Sequence, residues 1–79
     1  MQRMDFLLER EFVELNQLLK LVGLCDSGGA GKAMVASGLV SVGGETELRK
    51  TRKLRAGDMV RVGEVEILVA GVGPVPPTG

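Results

Sequence analysis

The sequence predicts an α+β fold in which two packed helices lie against a small, curved, mostly antiparallel sheet. Three observations carry this. Leu15, Leu18, Leu19 and Val22 recur at helical spacing and make one apolar stripe. A glycine-rich segment bracketed by Ser27 and Gly38 has the start and stop residues of a second helix. From Leu39 onward the apolar period changes to two, punctuated by Gly43-Gly44, Gly57 and Gly63. Seventy-nine residues make one small domain with a modest core. That domain is expected over residues 1–70, with 71–79 as a flexible tail.

The elements follow in order. Met4–Leu8 is apolar at Met4, Phe6, Leu7 and Leu8 and reads as a short edge strand. The helical pattern starts at Val13, with Glu14, Asn16, Gln17 and Lys20 largely off the stripe, and Gly23 is a natural stop. Leu24-Cys25-Asp26 connects to Ser27, which caps a helix over roughly 28–37. Ala30, Ala33, Met34 and Ala36 or Ser37 are expected to face the first helix. Glycines in that segment each cost up to ~1 kcal/mol relative to Ala, so packing must hold it.

Leu39, Val40 and Val42 form a strand, Gly43-Gly44 fits a two-residue type I′ turn, and Thr46 and Leu48 alternate on the return. Leu54 is an anchor into the core. Ala56-Gly57-Asp58 turns into a strand at Met59, Val60 and Val62. After Gly63-Glu64, Val65, Ile67, Leu68 and Val69 form the last strand. The stretch Gly71–Gly79, with Pro74, Pro76 and Pro77, has no period.

Ten basic and ten acidic residues cancel, which argues against a nonspecific polyanion binder. The charge is unevenly spread, however. Residues 1–26 carry a net −2, residues 27–63 a net +4 and residues 64–79 a net −2, so the middle is a basic island. Phe6 and Phe12 are the only aromatics, too few for a platform that stacks single-stranded bases. Any RNA would be recognised by its folded shape and backbone. One cysteine and no histidine exclude an internal disulfide and leave no credible zinc site. No leader-like or membrane-spanning segment is visible, and a cytoplasmic protein is expected.

The segment Gly28-Gly29-Ala30-Gly31-Lys32 invites a phosphate-loop reading, but Asp26 and Ala33 stand where that motif needs Gly and Ser or Thr. Gly31 fits better as a residue that lets two helices approach closely. Ser27, Gly28 and Gly29 fit a helix cap or a phosphate cradle equally well. Lys32 lies one turn into the helix, and it gains weight only beside the run Arg49, Lys50, Arg52, Lys53 and Arg55. Cations this dense repel one another, and Arg and Lys are suited to phosphate oxygens. Glu45 and Glu47 could pair with some of them, and as alternating strand residues they read as surface carboxylates. Cys25 reads as a small, half-buried turn residue. Without histidine or a deep pocket, catalysis has little support.

The order of these features resembles the S4 RNA-binding domain, and more closely the small stand-alone bacterial S4-like proteins of the YbcJ type. The matching residues are Glu14-Leu15, Leu18-Leu19-Lys20, Gly23, Ser27-Gly28-Gly29, Lys32, Gly38, Val40, Val42, Gly44, Glu47, Arg49-Lys50, Lys53, Gly57-Asp58 and Val60. Gly43 departs from the family's usual Asn or Asp, and Gly31 from its usual Ala. The resemblance implies the αL arrangement and binding of a structured RNA, rRNA or tRNA-like. The contacts it implies are Lys20, Ser27, Gly28, Gly29, Lys32, Arg49, Lys50, Arg52 and Lys53. It implies no catalytic residue, metal or cofactor. A protein-interaction module in a ribosome-associated or RNA-processing complex is the alternative, and a monomer is expected.

Overall fold

The computed structural model describes residues 2–71. Strand β1 (Gln2–Leu8) leads through a short loop to β2 (Val13–Glu14) and directly into helix α1 (Leu15–Leu21). Helix α2 (Gly28–Ala36) follows, then the hairpin β3 (Val40–Val42) and β4 (Glu45–Thr46), and then β5 (Lys53–Leu54), β6 (Met59–Val62) and β7 (Val65–Gly71). The main sheet has the order β1-β7-β6-β3-β4. Only β1–β7 is parallel; the other neighbours are antiparallel. The α+β arrangement and the edge position of β1 agree with the sequence. Gly71 belongs to β7, and the rest of the expected tail, 72–79, lies outside the described residues.

Leu15, Leu18 and Leu19 are fully buried on α1, as their spacing requires. They meet Val35 of α2 and Val40, Val60, Ile67 and Val69 of the sheet in one core. Leu54 is also fully buried and holds the otherwise polar stretch Arg49–Arg55 to that core. Truncating such a leucine costs about 2–5 kcal/mol, more than exposed ion pairs can contribute, so Leu54 is the main anchor of the basic loop. Gly43 and Gly44 take φ of 61° and 89°, as a type I′ turn demands.

Several local expectations are corrected. The helix begins at Leu15, because Val13 and Glu14 extend as β2 and pair with Leu54 and Lys53 of β5. Val22 caps its end. On α2 the buried positions are Gly31 and Val35; Ala33, Ala36 and Ser37 are exposed, and Ala30 and Met34 half-buried. Leu39 precedes β3 and is exposed, and Leu48 lies beyond the two-residue β4, 60% exposed.

Helix–helix contact is decided by Gly31. A Cβ there would lie 2.5 Å from the Asn16 carbonyl oxygen and 3.1 Å from the Asn16 carbonyl carbon and Cα. Backbone cannot give way as a side-chain tip can, so the absent methyl sets the distance between α1 and α2. Helix propensity alone would make Gly31→Ala stabilising by up to ~1 kcal/mol. The geometry predicts the opposite sign, a loss of about 1–3 kcal/mol, read as a lower urea midpoint at unchanged slope.

Candidate nucleic-acid interface

Helix α1 has no side-chain cap at Glu14. Its first N–H groups are met instead by the basic loop: Leu15 N–H donates to the Arg52 carbonyl (2.8 Å) and Asn16 N–H to that of Lys50 (3.1 Å). The loop's backbone therefore satisfies donors that a helix start would otherwise leave open. Buried Asn16 makes a second link, donating from Nδ2 to the Gly28 carbonyl at 3.3 Å. One residue thus ties the start of α2 to the loop that carries the cations.

At α2, the Ser27 side chain accepts from Ala30 N–H at 3.1 Å, as a cap should. Among the described residues, no acceptor meets the N–H groups of Gly28 and Gly29. Lys32 lies one turn further on and shares an open depression of about 550 Å³ with Leu48, Arg49, Lys50, Thr51 and Arg52. Residues far apart in sequence are therefore brought to one surface.

The remaining expected residues lie elsewhere. Lys20 is exposed in the last turn of α1 and does not line the depression. Lys53 is on β5, with Nζ 4.9 Å from the centre of the Phe12 ring, and the Arg55 guanidinium carbon is 5.9 Å from the same centre. The five-cation run is thus divided: Arg49, Lys50 and Arg52 face Lys32, whereas Lys53 and Arg55 lie over Phe12. A larger hollow of about 830 Å³ lies between the end of β1 and α1, but Glu9 and Glu14 accompany Arg10 on its mainly apolar wall. It has no cationic ring.

Glu47 pairs with the cations, as the sequence allowed, but its burial beneath them was not foreseen. It is only 6% exposed, not a surface carboxylate. Its Oε2 accepts from the Arg49 backbone N–H at 2.9 Å and from Arg49 Nε at 3.0 Å. Its Oε1 accepts from Arg49 Nη2 at 3.1 Å and Arg52 Nη1 at 2.7 Å. The side-chain and backbone hydrogen bonds from Arg49 lead in holding this carboxyl at about 2, down from 4.5; Arg52 adds to them, and burial opposes. The available signal was an acid two residues before a run of cations, since such a run needs a counter-charge. The turn after the loop is fixed by Asp58, whose Oδ2 accepts from Arg55 N–H at 2.7 Å and whose carbonyl accepts from Val69 N–H at 2.9 Å.

No group of His, Cys, Asp and Glu able to hold a metal ion occurs among the described residues, and none of their helices is long and apolar enough to cross a membrane. Comparison with known proteins gives a consistent set of matches. The S4 domain family matches residues 6–70. YbcJ of Escherichia coli (strain K12), which carries a provisional RNA-binding name, is 48% identical over 48 residues, 61% of this chain and 69% of that protein. A YbcJ of Shigella flexneri matches to the same extent. The solution structure of E. coli YbcJ, reported with an αL motif involved in RNA-binding, superposes with a TM-score of 0.62 at 36% identity, covering 89% of this chain and 87% of that one.

The low pKa of Glu47 sets an acid dependence. An unfolded chain protonates this carboxyl near 4.5, the folded one near 2, so protons favour unfolding. The contribution is complete above about 4.5 and is lost as pH falls towards 2. Glu47→Gln should cost roughly 1–3 kcal/mol at pH 7, since Arg49 is largely in water, which screens part of the pair. In urea titrations between pH 7 and pH 2, the gap between wild type and variant should close on acidification.

Proposed function

The chain belongs to the S4 domain family, and on that premise we propose that it is a non-catalytic binder of structured RNA, rRNA or tRNA-like, acting in the cytoplasm. One observation carries the reading: Lys32, on a helix, and Arg49, Lys50 and Arg52, on a loop, line one depression; Ser27, Gly28 and Gly29 do not line it and lie one turn before Lys32 at the start of α2. Phosphate oxygens take charge-assisted hydrogen bonds from guanidinium forks and amine donors, and accept equally well from N–H groups at a helix start. The proposed contacts are Ser27, Gly28, Gly29, Lys32, Arg49, Lys50 and Arg52, with Lys20 and Lys53 at the margins.

The arrangement favours a rigid, folded partner. Glu47 consumes part of the positive charge but holds two guanidiniums in place, so less freedom is lost when phosphate arrives. Among the described residues Leu48 is the only apolar side chain in the depression, and no aromatic ring lines it to stack a splayed base. Backbone geometry, rather than base edges, is then what the surface can read.

Titration with folded ribosomal or transfer RNA fragments at two salt concentrations tests this. Lys32→Ala and Lys50→Ala should each lower affinity and reduce the salt slope by about 1, with a smaller effect from Lys53→Ala. No binding at low salt, or an unchanged slope in the first two variants, sinks the reading. Glu47→Gln separates charge from geometry. Removing a negative charge should tighten binding by Coulomb's law alone, whereas loss of the arginine scaffold should weaken it. Weaker binding is expected.

A further inference from the structure

We propose that the open edge of β1 pairs antiparallel with the β1 of a second copy of this chain, about a two-fold axis at Met4. Among the described residues strand β1 has one neighbour, β7, in a continuous parallel register from Gln2↔Val65 to Leu8↔Gly71. Gln2 N–H donates to the Glu64 carbonyl at 2.8 Å, which sets the alternation of the ladder. Gln2, Met4 and Phe6 direct their backbone groups towards β7, and Arg3, Asp5 and Leu7 direct theirs to the open side. That edge lacks the proline, lysine or bulge that commonly blocks such a template.

The side chains select the partner. Arg3 and Asp5 are both exposed, two residues apart, and therefore on the same outer face. An axis at Met4 sets Arg3 opposite Asp5 of the second copy, and Asp5 opposite Arg3 of the second copy. Both are outward-directed positions, so the backbone pairs where the charges do. An axis at Asp5 would oppose two aspartates, and like charges directly opposite are unfavourable. Across the sheet, Arg3 is registered with Glu66, and Glu66 with Arg61. Asp5 of the second copy continues this alternation of sign by one more strand. A neutral or apolar strand offers these charges no partner, whereas a second β1 does.

The contact is isologous and short, well below the area of a stable interface, so association is weak and concentration-dependent. The monomer expected from sequence is then the dilute state. The β3–β4 hairpin is at the opposite edge of the sheet and stays uncovered.

A charge-swap cycle tests the pairing. Sedimentation equilibrium from about 10 μM to about 1 mM, at low salt, should show wild-type mass rising towards twice the monomer, in the range of weak encounters. R3D and D5R should each remain monomeric, and the double variant R3D/D5R should regain association. Asp5→Pro removes an outward-facing N–H together with the carboxylate and no bond to β7, so it should abolish association while leaving the thermal midpoint nearly unchanged. The proposal is overturned if wild type stays monomeric at the highest concentration. It is equally overturned if either single charge variant associates like wild type, or if the double variant does not recover.

Discussion

The contact between Asn16 and its surroundings is what the rest of the surface depends on. At this one position α1 offers its N–H to the Lys50 carbonyl, its side-chain amide to the Gly28 carbonyl, and its own carbonyl to the space left by Gly31. The hydrogen bonds fix two distant segments against one helix start, and the steric contact sets how close the second helix comes. Asn16 Oδ1 is buried without a partner among the described residues, a cost of about 1–3 kcal/mol that these contacts must outweigh. A helix start capped by a loop's backbone couples the two: the loop cannot shift without opening α1.

Charge is then arranged within that frame, not merely accumulated. Counting cations along Arg49–Arg55 suggests one uniform patch, yet the fold treats them unequally. Leu54 turns inwards, Lys53 and Arg55 lie over Phe12, and Glu47 takes Arg49 and Arg52. Lys32 and Lys50 are left as point charges beside two oriented guanidiniums. The surface is less positive than its sequence suggests but more defined, which suits a partner whose phosphates are already fixed in space.

The sequence made the larger elements legible because their signals are redundant. The leucines of α1 repeat over two turns, and Gly23 and Gly38 stop both helices with φ of 86° and 84°. The buried face of α2 was not legible. In Gly28–Ala36 small and apolar residues surround the axis, so no stripe marks a side, and the steric demand at Gly31 chose the face that buries Val35. The two-residue ladder of β2 and β5 carries no period to read. Glu47 was hidden for a different reason: alternation along a strand cannot distinguish a solvated carboxylate from one buried beneath arginines. At the candidate site, the approach of Lys32 to the loop could be read from motif order, whereas the departure of Lys53 required the pairing of β5.

The parallel ladder between β1 and β7 joins the first described strand to the last. During synthesis β1 is made well before β7, its one sheet neighbour among the described residues. Contacts of such long sequence separation slow folding, since the entropy of closing the loop comes before the gain from pairing. The sheet is completed only once β7 has emerged, which makes closure of this domain a late event in the life of the nascent chain.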